Sequence, residues 1–404
     1  MKFPNIEYFI KNHITKRNTS LFVNDINDNR GKLEKEIHGK TVLVIGGAGT
    51  IASSYIMALL PFKPRKLVVV DTNENGLTEL TRKIRSNPNI DAPYEYITYP
   101  MNFGSNIFHK LLKFHNGFDI VANFAAHKHV RSEKDRFSVE AMIENNIFYA
   151  QDLLDILLQY KPKHFFCVST DKAANPVNVM GASKKIMENV ILSYSDKFKV
   201  TTARFANVAF SNGSLLDGLL FRLTQRQPIS CPSDIKRFFV SPEESGQICL
   251  LSCILGNTGD IFFPKLLPNQ MLSFRKIIED FFKYLNIEID YCFSEEEAKN
   301  KSLRLEDSIH RYPVYFFDTD TSGEKLYEEF YEDQDKLETN KFRSLGIILN
   351  QKKIEIEKVS GDIEKLKKLF KMATPSKVDI IKTISSILPE FNHIETGKSL
   401  DQKM

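Results

Sequence analysis

The chain has 404 residues, of which 42% are hydrophobic and 26% are charged. This length and composition are typical of a soluble globular protein with a large core and more than one domain. The formal net charge of +4 is too small for this length to indicate a nucleic acid or an anionic membrane as partner. We therefore expect no nucleic acid among its partners.

The sequence indicates neither export nor a membrane span. The first 20 residues lack the apolar core of a signal peptide, and no run of 18 apolar residues occurs. The five cysteines show no disulfide spacing, and no second pair completes a metal site with Cys249 and Cys253. Core thiols without disulfides fit a reducing compartment. We therefore expect a cytoplasmic protein without a metal centre.

Residues 1–38 are polar and of mixed charge, and we expect them to form a helical extension. From Lys40 onward, short apolar runs alternate with longer amphipathic stretches. The runs are TVLVIG (41–46), KLVVVD (66–71), YEYITY (94–99), FDIVANFAA (118–126), HFFCVST (164–170) and KVTTARF (199–205). Such continuous runs predict strands buried on both faces, and their alternation with helices predicts repeated βα units. The expected fold class is α/β, a Rossmann-type doubly wound parallel sheet.

A glycine-rich turn follows the first predicted strand, in the sequence VLVIGGAGTIA. Gly46 would permit the tight bend, Gly49 would let a pyrophosphate approach the backbone, and Ala52 allows close helix packing. The next helix begins at Thr50 and Ile51, where free N–H groups and the positive dipole end suit phosphates. Strand, turn and helix in this order predict a dinucleotide site. The alternative is a turn with a structural role only.

The end of the second strand indicates which dinucleotide binds. Asp71 lies 22 residues after Gly49, where a carboxylate can accept hydrogen bonds from a ribose 2′-OH and repels a 2′-phosphate. Residues 72–75 contain no lysine or arginine, so we expect NAD rather than NADP. Small residues at 123–126, Ala125 among them, would let the cofactor lie against the backbone. Simple close packing is the alternative explanation for those residues.

Two adjacent charges, Asp171 and Lys172, follow the fifth predicted strand. They are candidates for chemistry because ligands bind at the carboxyl ends of parallel strands. A helix predicted to begin near Asn178 carries Met180 and Lys184, four residues apart on one face. The alternative is a strand-end ion pair with a solvated lysine on the helix.

The stretch STDKAANPVNVMGASKK (169–185) resembles the nucleotide-sugar 4,6-dehydratases of the extended short-chain dehydrogenase/reductase superfamily. The nearest resemblance is to UDP-N-acetylglucosamine 4,6-dehydratases of the CapD-like polysaccharide biosynthesis family. It covers about residues 40–290 and includes AAHKHV (125–130), ARFANVAFSNGSLL (203–216), KRFF (236–239) and IFFPK (261–265). The resemblance implies a NAD-dependent lyase that acts on a UDP-sugar, with UDP-N-acetylglucosamine favoured, for surface polysaccharide or glycan biosynthesis.

The resemblance also implies roles at the reaction site. Lys172 would remove the sugar C5 proton, Asp171 would protonate the leaving C6 hydroxyl, and Thr170 would hydrogen-bond the C4 oxygen. Lys184 would hold the nicotinamide ribose and favour hydride departure. Lys172 must be neutral to act, and we expect burial and the Lys184 cation to lower its pKa. Met180 stands where such families usually carry tyrosine; a thioether takes no proton, so the C4-hydroxyl base stays open.

Further residues are implied at the nucleotide end of the substrate. Lys128 and His129 match the family's substrate-side segment, with an ordinary polar role as the alternative for His129. Asn207 follows the sixth strand, and Ser214 precedes a helix whose free N–H groups suit the diphosphate. Arg237 is a candidate for a second phosphate contact with bidentate geometry.

We expect four regions along the chain. They are a helical extension (1–38), a NAD-binding Rossmann domain to which later segments return (39–206), a mixed α/β nucleotide-sugar-binding lobe (207–325) and a helical C-terminal tail (326–404). The tail has apolar residues at helical spacing, so it either packs on the body or joins a partner, and the resemblance implies a homo-oligomer. Two other functions stay open: a C4 or C5 epimerase of the same fold, and a non-catalytic NAD-binding regulator or scaffold.

Overall fold

The computed structural model describes residues 4–305, 310–349, 354–372 and 375–398. The strands of these ranges are β1 Thr41–Ile45, β2 Lys66–Asp71, β3 Glu95–Pro100, β4 Ile120–Asn123, β5 His164–Val168, β6 Val200–Ala203, β7 Asn207–Val208, β8 Ile229–Pro232, β9 Lys236–Arg237, β10 Phe239–Val240, β11 Ile261–Pro264, β12 Leu272–Ser273, β13 Glu288–Cys292, β14 Arg311–Phe317, β15 Leu337–Glu338 and β16 Leu345–Ile348.

The α-helices of the same ranges are α1 Ile6–Phe9, α2 Val23–Asp28, α3 Arg30–Ile37, α4 Thr50–Leu59, α5 Glu74–Arg85, α6 Asn106–His115, α7 Arg136–Ile143, α8 Tyr149–Leu157, α9 Val179–Ser193, α10 Leu215–Thr224, α11 Pro242–Leu255, α12 Phe274–Tyr284, α13 Glu295–Ser302, α14 Ile356–Phe370 and α15 Lys377–Ile387. Short 3-10 or π-helical turns lie at Ile10–Ile14, Leu60–Phe62, Val130–Ser132, Glu144–Phe148, Asp171–Ala173 and Pro268–Gln270. Every helix in the described ranges is too short or too polar to span a bilayer.

Nine strands form the main sheet, in the order β15-β16-β11-β6-β5-β4-β1-β2-β3. Neighbours from β11 to β3 are parallel, whereas β16 is antiparallel to β11 and β15 is antiparallel to β16. The six predicted strands correspond to β1 through β6. After β3 the chain crosses to the other side of β1, which creates a topological switch point between β1 and β4. The predicted Rossmann-type α/β fold is confirmed.

Helices cover both faces of this sheet, as its apolar strands require. Along β1, Val42 and Val44 point into one core while Leu43 and Ile45 point into the other. Helices α4 and α11 pack together over the first core, and α6, α8 and α9 cover the second. The alternating side chains of one strand therefore serve two separate cores, which explains why the strand is apolar throughout.

The C-terminal region packs back on the body. Strands β15 and β16 extend one edge of the main sheet, and α14 and α15 bury residues such as Ile363, Leu366 and Ile384 in the second core. Two strands thus precede the helices, so the tail predicted from residue 326 is not helical throughout. The sequence left open whether the tail packs on the body of the protein or joins a partner, and in the structure it packs on the body.

A smaller lobe surrounds the parallel strands β13, β14 and β8. Its core contains Leu219 of α10, Phe281 of α12 and Val314 of β14, and Phe9 and Ile14 from the N-terminal segment join it. The predicted N-terminal extension is largely helical; its first part packs on this lobe, whereas Phe22, Leu33 and Ile37 join the first core of the main sheet. Helix α11 and strand β11 lie within the residue range predicted for the lobe, but β11 is a strand of the main sheet and α11 packs against that sheet. This is the predicted return of later segments to the Rossmann domain.

Candidate active site

In the turn after β1, the glycine backbone lies so close to neighbouring residues that a side chain would not fit at two of the three glycines. Gly46 has φ +75°, and a Cβ there would lie 2.6 Å from the backbone nitrogen of Ala125. Gly47, which sequence reasoning passed over, is equally constrained, because its Cβ would lie 2.1 Å from Val69 Cγ1. Gly49 differs: its φ is −71°, and its Cβ would meet nothing nearer than Gly46 O at 3.5 Å. Gly46 and Gly47 are therefore required by the fold, whereas Gly49 leaves room for a ligand.

Asp71, at the end of β2, closes the turn from the other side. Its Oδ2 accepts the N–H of Ala48 at 2.9 Å, and its Oδ1 accepts the N–H of Asn73 at 2.8 Å. The residues that line the cavity beside it, Val70 to Asn73, include no cation. A fixed carboxylate without a cation on its own segment suits a ribose diol better than a 2′-phosphate. The glycine cradle and this acid fit NAD, and NAD binding itself stays a prediction.

A cavity of about 900 Å³ lies along the carboxyl ends of the parallel strands and is lined by both the main sheet and the smaller lobe. Every residue that the sequence assigned to the cofactor, the reaction or the substrate lines this cavity. Thr50 and Ile51 contribute at the start of α4, and Ala125 contributes after β4. Its position at the switch point is where ligands bind in doubly wound sheets.

Thr170, Asp171 and Lys172 follow β5 and are linked through their side chains. Thr170 Oγ1 donates a hydrogen bond to Asp171 Oδ1 at 3.0 Å, and Lys172 Nζ donates to the same oxygen at 3.1 Å. The N–H of Asp171 donates to Phe205 O at 3.2 Å, which fixes the turn against the strand beside it. A hydroxyl, a carboxylate and an ammonium thus meet at one oxygen in the cavity wall, an arrangement that can move protons.

Two carboxyls that sequence reasoning missed, the buried Glu328 and the partly buried Glu324, complete this group. Glu328 Oε1 lies 3.5 Å from both Lys172 Nζ and Arg237 Nη2. Glu324 Oε2 lies 3.3 Å from Arg237 Nη2. Burial raises the pKa of both glutamates, although the two cations oppose it. Both lie in an acidic stretch that carries no motif and resembles a solvated surface in the sequence, so no sequence signal marked them. We call Asp171, Lys172, Arg237, Glu324 and Glu328 the charge cluster.

The charge environment of Lys172 corrects one expectation. Burial lowers its pKa, but Asp171 and Glu328 outweigh burial, and the pKa is raised above its ordinary value. The cation that opposes the two carboxylates is Arg237, rather than the expected Lys184. The expectation of a lowered pKa was therefore wrong, because it left out the opposing charge of Asp171 and because the sequence did not reveal Glu328.

Helix α9 begins beside this cluster, next to Asn178, where the sequence predicted a helix start. The Oδ1 of Asn178 accepts the N–H of Gly181 at 2.7 Å. A Cβ at Gly181 would lie 2.4 Å from the carbonyl oxygen of Lys172, so glycine is needed for the helix to approach the reaction loop. Met180 is buried in the first turn and lines the cavity.

Lys184 is buried one turn further along α9. Its Nζ donates to Val168 O at 2.7 Å and lies 3.2 Å from Met187 Sδ. Burial lowers the pKa of Lys184, although Glu188 opposes this. The lysine is thus anchored to the end of β5 and reaches the cavity from there, while its contact with a nicotinamide ribose stays a prediction.

The residues predicted for the nucleotide end lie together near the start of α10. Lys128 Nζ donates to Asn212 O at 2.8 Å. Burial, assisted by Lys128, lowers the pKa of His129 and so favours the neutral imidazole. Ser214 is the N-cap of α10, and its Oγ accepts the N–H of Asp217 at 3.2 Å. Asn207 pairs with β10 through its backbone and also lines the cavity.

The guanidinium of Arg237 is already occupied by hydrogen bonds and ion pairs within the protein. It is 3% exposed, and besides Glu324 its two Nη atoms donate to the carbonyls of Lys236, Lys325 and Leu326. A phosphate would have to displace one of these partners to form the predicted bidentate contact. Arg131 and Arg222, which sequence reasoning did not select, line the same cavity. Burial, assisted by Arg131, lowers the pKa of Arg222.

The chain is similar in sequence to known proteins. A family model described as polysaccharide biosynthesis protein matches residues 42–350. An uncharacterized membrane protein of Methanocaldococcus jannaschii is 31% identical over 299 residues, which cover 72% of this chain and 80% of that protein. A UDP-N-acetylglucosamine 4,6-dehydratase (inverting) of Campylobacter jejuni is 28% identical over 247 residues, which cover 58% of this chain and 70% of that enzyme.

Solved structures share the fold at lower identity. Pen from Bacillus thuringiensis matches with a TM-score of 0.63 and 21% identity, over 79% of this chain and 90% of that one. A UDP-glucuronic acid 4-epimerase from Bacillus cereus, solved with UDP-glucuronic acid and NAD, matches with a TM-score of 0.54 and 17% identity, over 72% of this chain and 90% of that one. The chain belongs to the polysaccharide biosynthesis protein family, within the nucleotide-sugar-modifying enzymes of the extended short-chain dehydrogenase/reductase superfamily.

Proposed function

We propose that this protein is a NAD-dependent nucleotide-sugar 4,6-dehydratase, with UDP-N-acetylglucosamine as the favoured substrate. The observation that carries the proposal is the hydrogen-bonded series Thr170, Asp171 and Lys172 in the cavity that also contains the glycine turn. Elimination across C5 and C6 needs a base at one carbon and an acid at the next. Asp171 and Lys172 supply both groups side by side.

The first proton to move is that of the sugar C4 hydroxyl. The glycine turn at Gly46 and Gly49 would hold NAD, which would supply the hydride acceptor for C4 and the donor for C6, so that no net oxidation occurs. Thr170 Oγ1, 3.0 Å from Asp171 Oδ1, would take the hydroxyl proton as it passes its own to the carboxylate. This route needs no tyrosine, which is consistent with Met180. It also leaves Asp171 protonated, the state in which it can act as an acid.

The second stage uses the adjacent lysine. The C4 ketone acidifies the C5–H bond, and the neutral amine of Lys172 removes that proton. Asp171 gives its proton to the C6 hydroxyl, which leaves as water. Once C6 has received hydride, Lys172, whose N–H protons exchange with solvent, gives a proton back to C5. Every proton taken up by the chain is thereby released within one cycle.

The other cations that line the cavity are placed to stabilise the hydride transfer and the negative charge of the diphosphate. Lys184, held on the end of β5, adds positive potential where hydride departs. Lys128 lines the cavity beside the N-terminus of α10, whose N–H groups also favour an anion, and Arg222 lines it from the last turn of the same helix. We assign the diphosphate to this end rather than to Arg237, because that arginine is buried and already forms ion pairs with two glutamates.

A nucleotide-sugar epimerase is the second candidate, supported by the shared fold of the Bacillus cereus 4-epimerase. A C4 epimerase returns hydride to the carbon that lost it, so it needs no acid at C6 and leaves Asp171 and Lys172 without a use. A C5 epimerase would share the base but keep the C6 hydroxyl. A NAD-binding scaffold would explain Met180 but not the linked acid and base.

The test is an incubation of the purified protein with NAD and UDP-N-acetylglucosamine in D₂O, without added reductant, followed by NMR. We expect a 4-keto-6-deoxy product with one deuterium at C5. A product that keeps its C6 hydroxyl would replace the proposal with an epimerase. Lys172→Met should bind NAD but incorporate no deuterium, whereas Lys161→Met, an exposed lysine near β5, should react like wild type. NAD binding without turnover of any UDP- or dTDP-hexose would favour the scaffold.

A further inference from the structure

Glu328 lies one layer behind the wall of the cavity. It does not line the cavity, but it contacts Lys172 and Arg237, which do. Its Oε1 is 3.5 Å from a nitrogen of each cation. Its Oε2 is buried and has no hydrogen-bond partner among the described residues. An ionised carboxylate in this position is costly, so its charge depends on the two cations that face one of its oxygens.

Glu328 differs in this respect from Asp171, the other carboxyl that contacts Lys172. Asp171 Oδ1 accepts hydrogen bonds from Thr170 and Lys172. The charged groups around Glu328 are Asp171, Glu324, Lys172, Arg237 and Lys325. Burial raises the pKa of Glu328, and Asp171 raises it further, which together outweigh the cations. Glu328 is therefore a buried carboxyl with an oxygen that has no partner among the described residues and can take up a proton.

We propose that Glu328 is a positioning residue that takes the extra proton of Lys172 during turnover, so that a neutral amine faces the cavity. The inference rests on the proposed function, in which Lys172 removes the C5 proton. Without substrate, the carboxylates of Asp171 and Glu328 together hold Lys172 as an ammonium. Once Asp171 has taken the C4 hydroxyl proton, only Glu328 remains to stabilise that charge. The buried Lys172–Glu328 pair then favours its neutral form.

The proton transfer balances over the cycle. An N–H bond of Lys172 breaks, an O–H bond forms on Glu328, and the ion pair becomes an amine and a carboxylic acid. The amine then accepts the C5 proton, while the electron pair of the C5–H bond moves toward the C4 ketone. Lys172 later gives a proton back to C5 after exchange with solvent, and Glu328 returns its own proton to Lys172 when product leaves.

The first measurement follows Lys172 without any turnover. Full-length protein with NAD is labelled with acetic anhydride at a series of pH values, and modification of Lys172 is quantified by mass spectrometry. Glu328→Gln should lower the midpoint pH by about one unit, so that labelling below it is about tenfold faster. The matched control is Glu329→Gln, an exposed neighbour that accepts a hydrogen bond from Asn175, and it should label like wild type. An unchanged midpoint in Glu328→Gln would overturn the inference.

The second measurement does not depend on whether Glu328→Gln folds. Asp171→Asn imitates the protonated aspartic acid, so Lys172 should then pass its proton to Glu328 at neutral pH. Infrared difference spectra of Asp171→Asn against wild type should show a new protonated carboxyl band that shifts when glutamate is ¹³C-labelled. Glu324 also interacts with Lys172, so the same comparison in a Glu324→Gln background assigns the band to Glu328. Absence of the band would refute proton uptake by Glu328.

Failure of the two proposals would look different. If the band and the labelling shift are found but no nucleotide sugar is dehydrated, the proposed function is wrong, and the Lys172–Glu328 proton exchange stands. If dehydration occurs without either signal, the proposed function stands, and Glu328 is not the proton partner of Lys172.

Discussion

Alanine at Gly46 and alanine at Gly49 should have opposite consequences, although both residues belong to one turn. At Gly46 the φ of +75° and a Cβ only 2.6 Å from Ala125 N place the strain on the backbone itself. The left-handed conformation costs an L-residue roughly 1–2 kcal/mol, and displacement of packed neighbours adds about 1–3 kcal/mol. We expect Gly46→Ala to lower the free energy of unfolding by about 2–5 kcal/mol.

At Gly49 the same change meets no protein atom nearer than 3.5 Å, and φ is already −71°. Alanine restricts the unfolded chain, which stabilises the fold by about 0.4–1 kcal/mol. Alanine is also a poorer N-cap than glycine, at a cost on the order of 0.5–1 kcal/mol, so stability should hardly change. The new methyl enters the space that we assign to the pyrophosphate. NAD affinity should therefore fall at least about tenfold, or about 1.4 kcal/mol.

Urea unfolding followed by circular dichroism measures the first effect, and titration calorimetry with NAD measures the second. Gly46→Ala with the stability of wild type would refute the steric argument. Gly49→Ala with both wild-type stability and wild-type NAD affinity would show that the pyrophosphate does not lie against this residue. Each variant is the control for the other, because both add one methyl group to the same turn.

Three further predictions concern other parts of the molecule. Arg204 and Glu188 form a buried bidentate pair at 3.0 and 2.8 Å, so Arg204→Met, which leaves a buried carboxylate unpaired, should cost about 3–5 kcal/mol in urea unfolding; an unchanged midpoint would contradict this. Met180→Leu preserves buried apolar volume and should retain turnover in the NMR assay, whereas a large loss would mean that the thioether takes part in the chemistry. A hydrogen bond from Lys377 is the largest of the effects that lower the pKa of Glu395 to about 2. Because the folded pKa is depressed, the stabilisation is present above about pH 4.5 and is lost as pH falls toward 2. The difference in stability between wild type and Glu395→Gln should therefore shrink across that window, and a difference that does not vary with pH would count against the assignment.

Local pattern was sufficient to locate much of this molecule. The apolar runs match β1 to β6 because strands buried on both faces have no polar positions. The glycine turn and Asp71 could be found because the backbone geometry they serve admits few residue types. Residues of the reaction site could be located for a related reason: the carboxyl ends of parallel strands meet at one edge, so residues just after each strand converge on one cavity.

The charge cluster, by contrast, depends on contacts between distant segments. The segment of residues 392–398 forms backbone hydrogen bonds with Val177, which lies just before α9, and with Gly323. In addition, Asn178 Nδ2 donates a hydrogen bond to Gly323 O at 2.7 Å. These bonds hold the segment that carries Glu324 and Glu328 against Lys172. An acidic stretch has the same local pattern whether it faces water or a buried lysine, so only the folded chain decides which pKa values are shifted and in which direction.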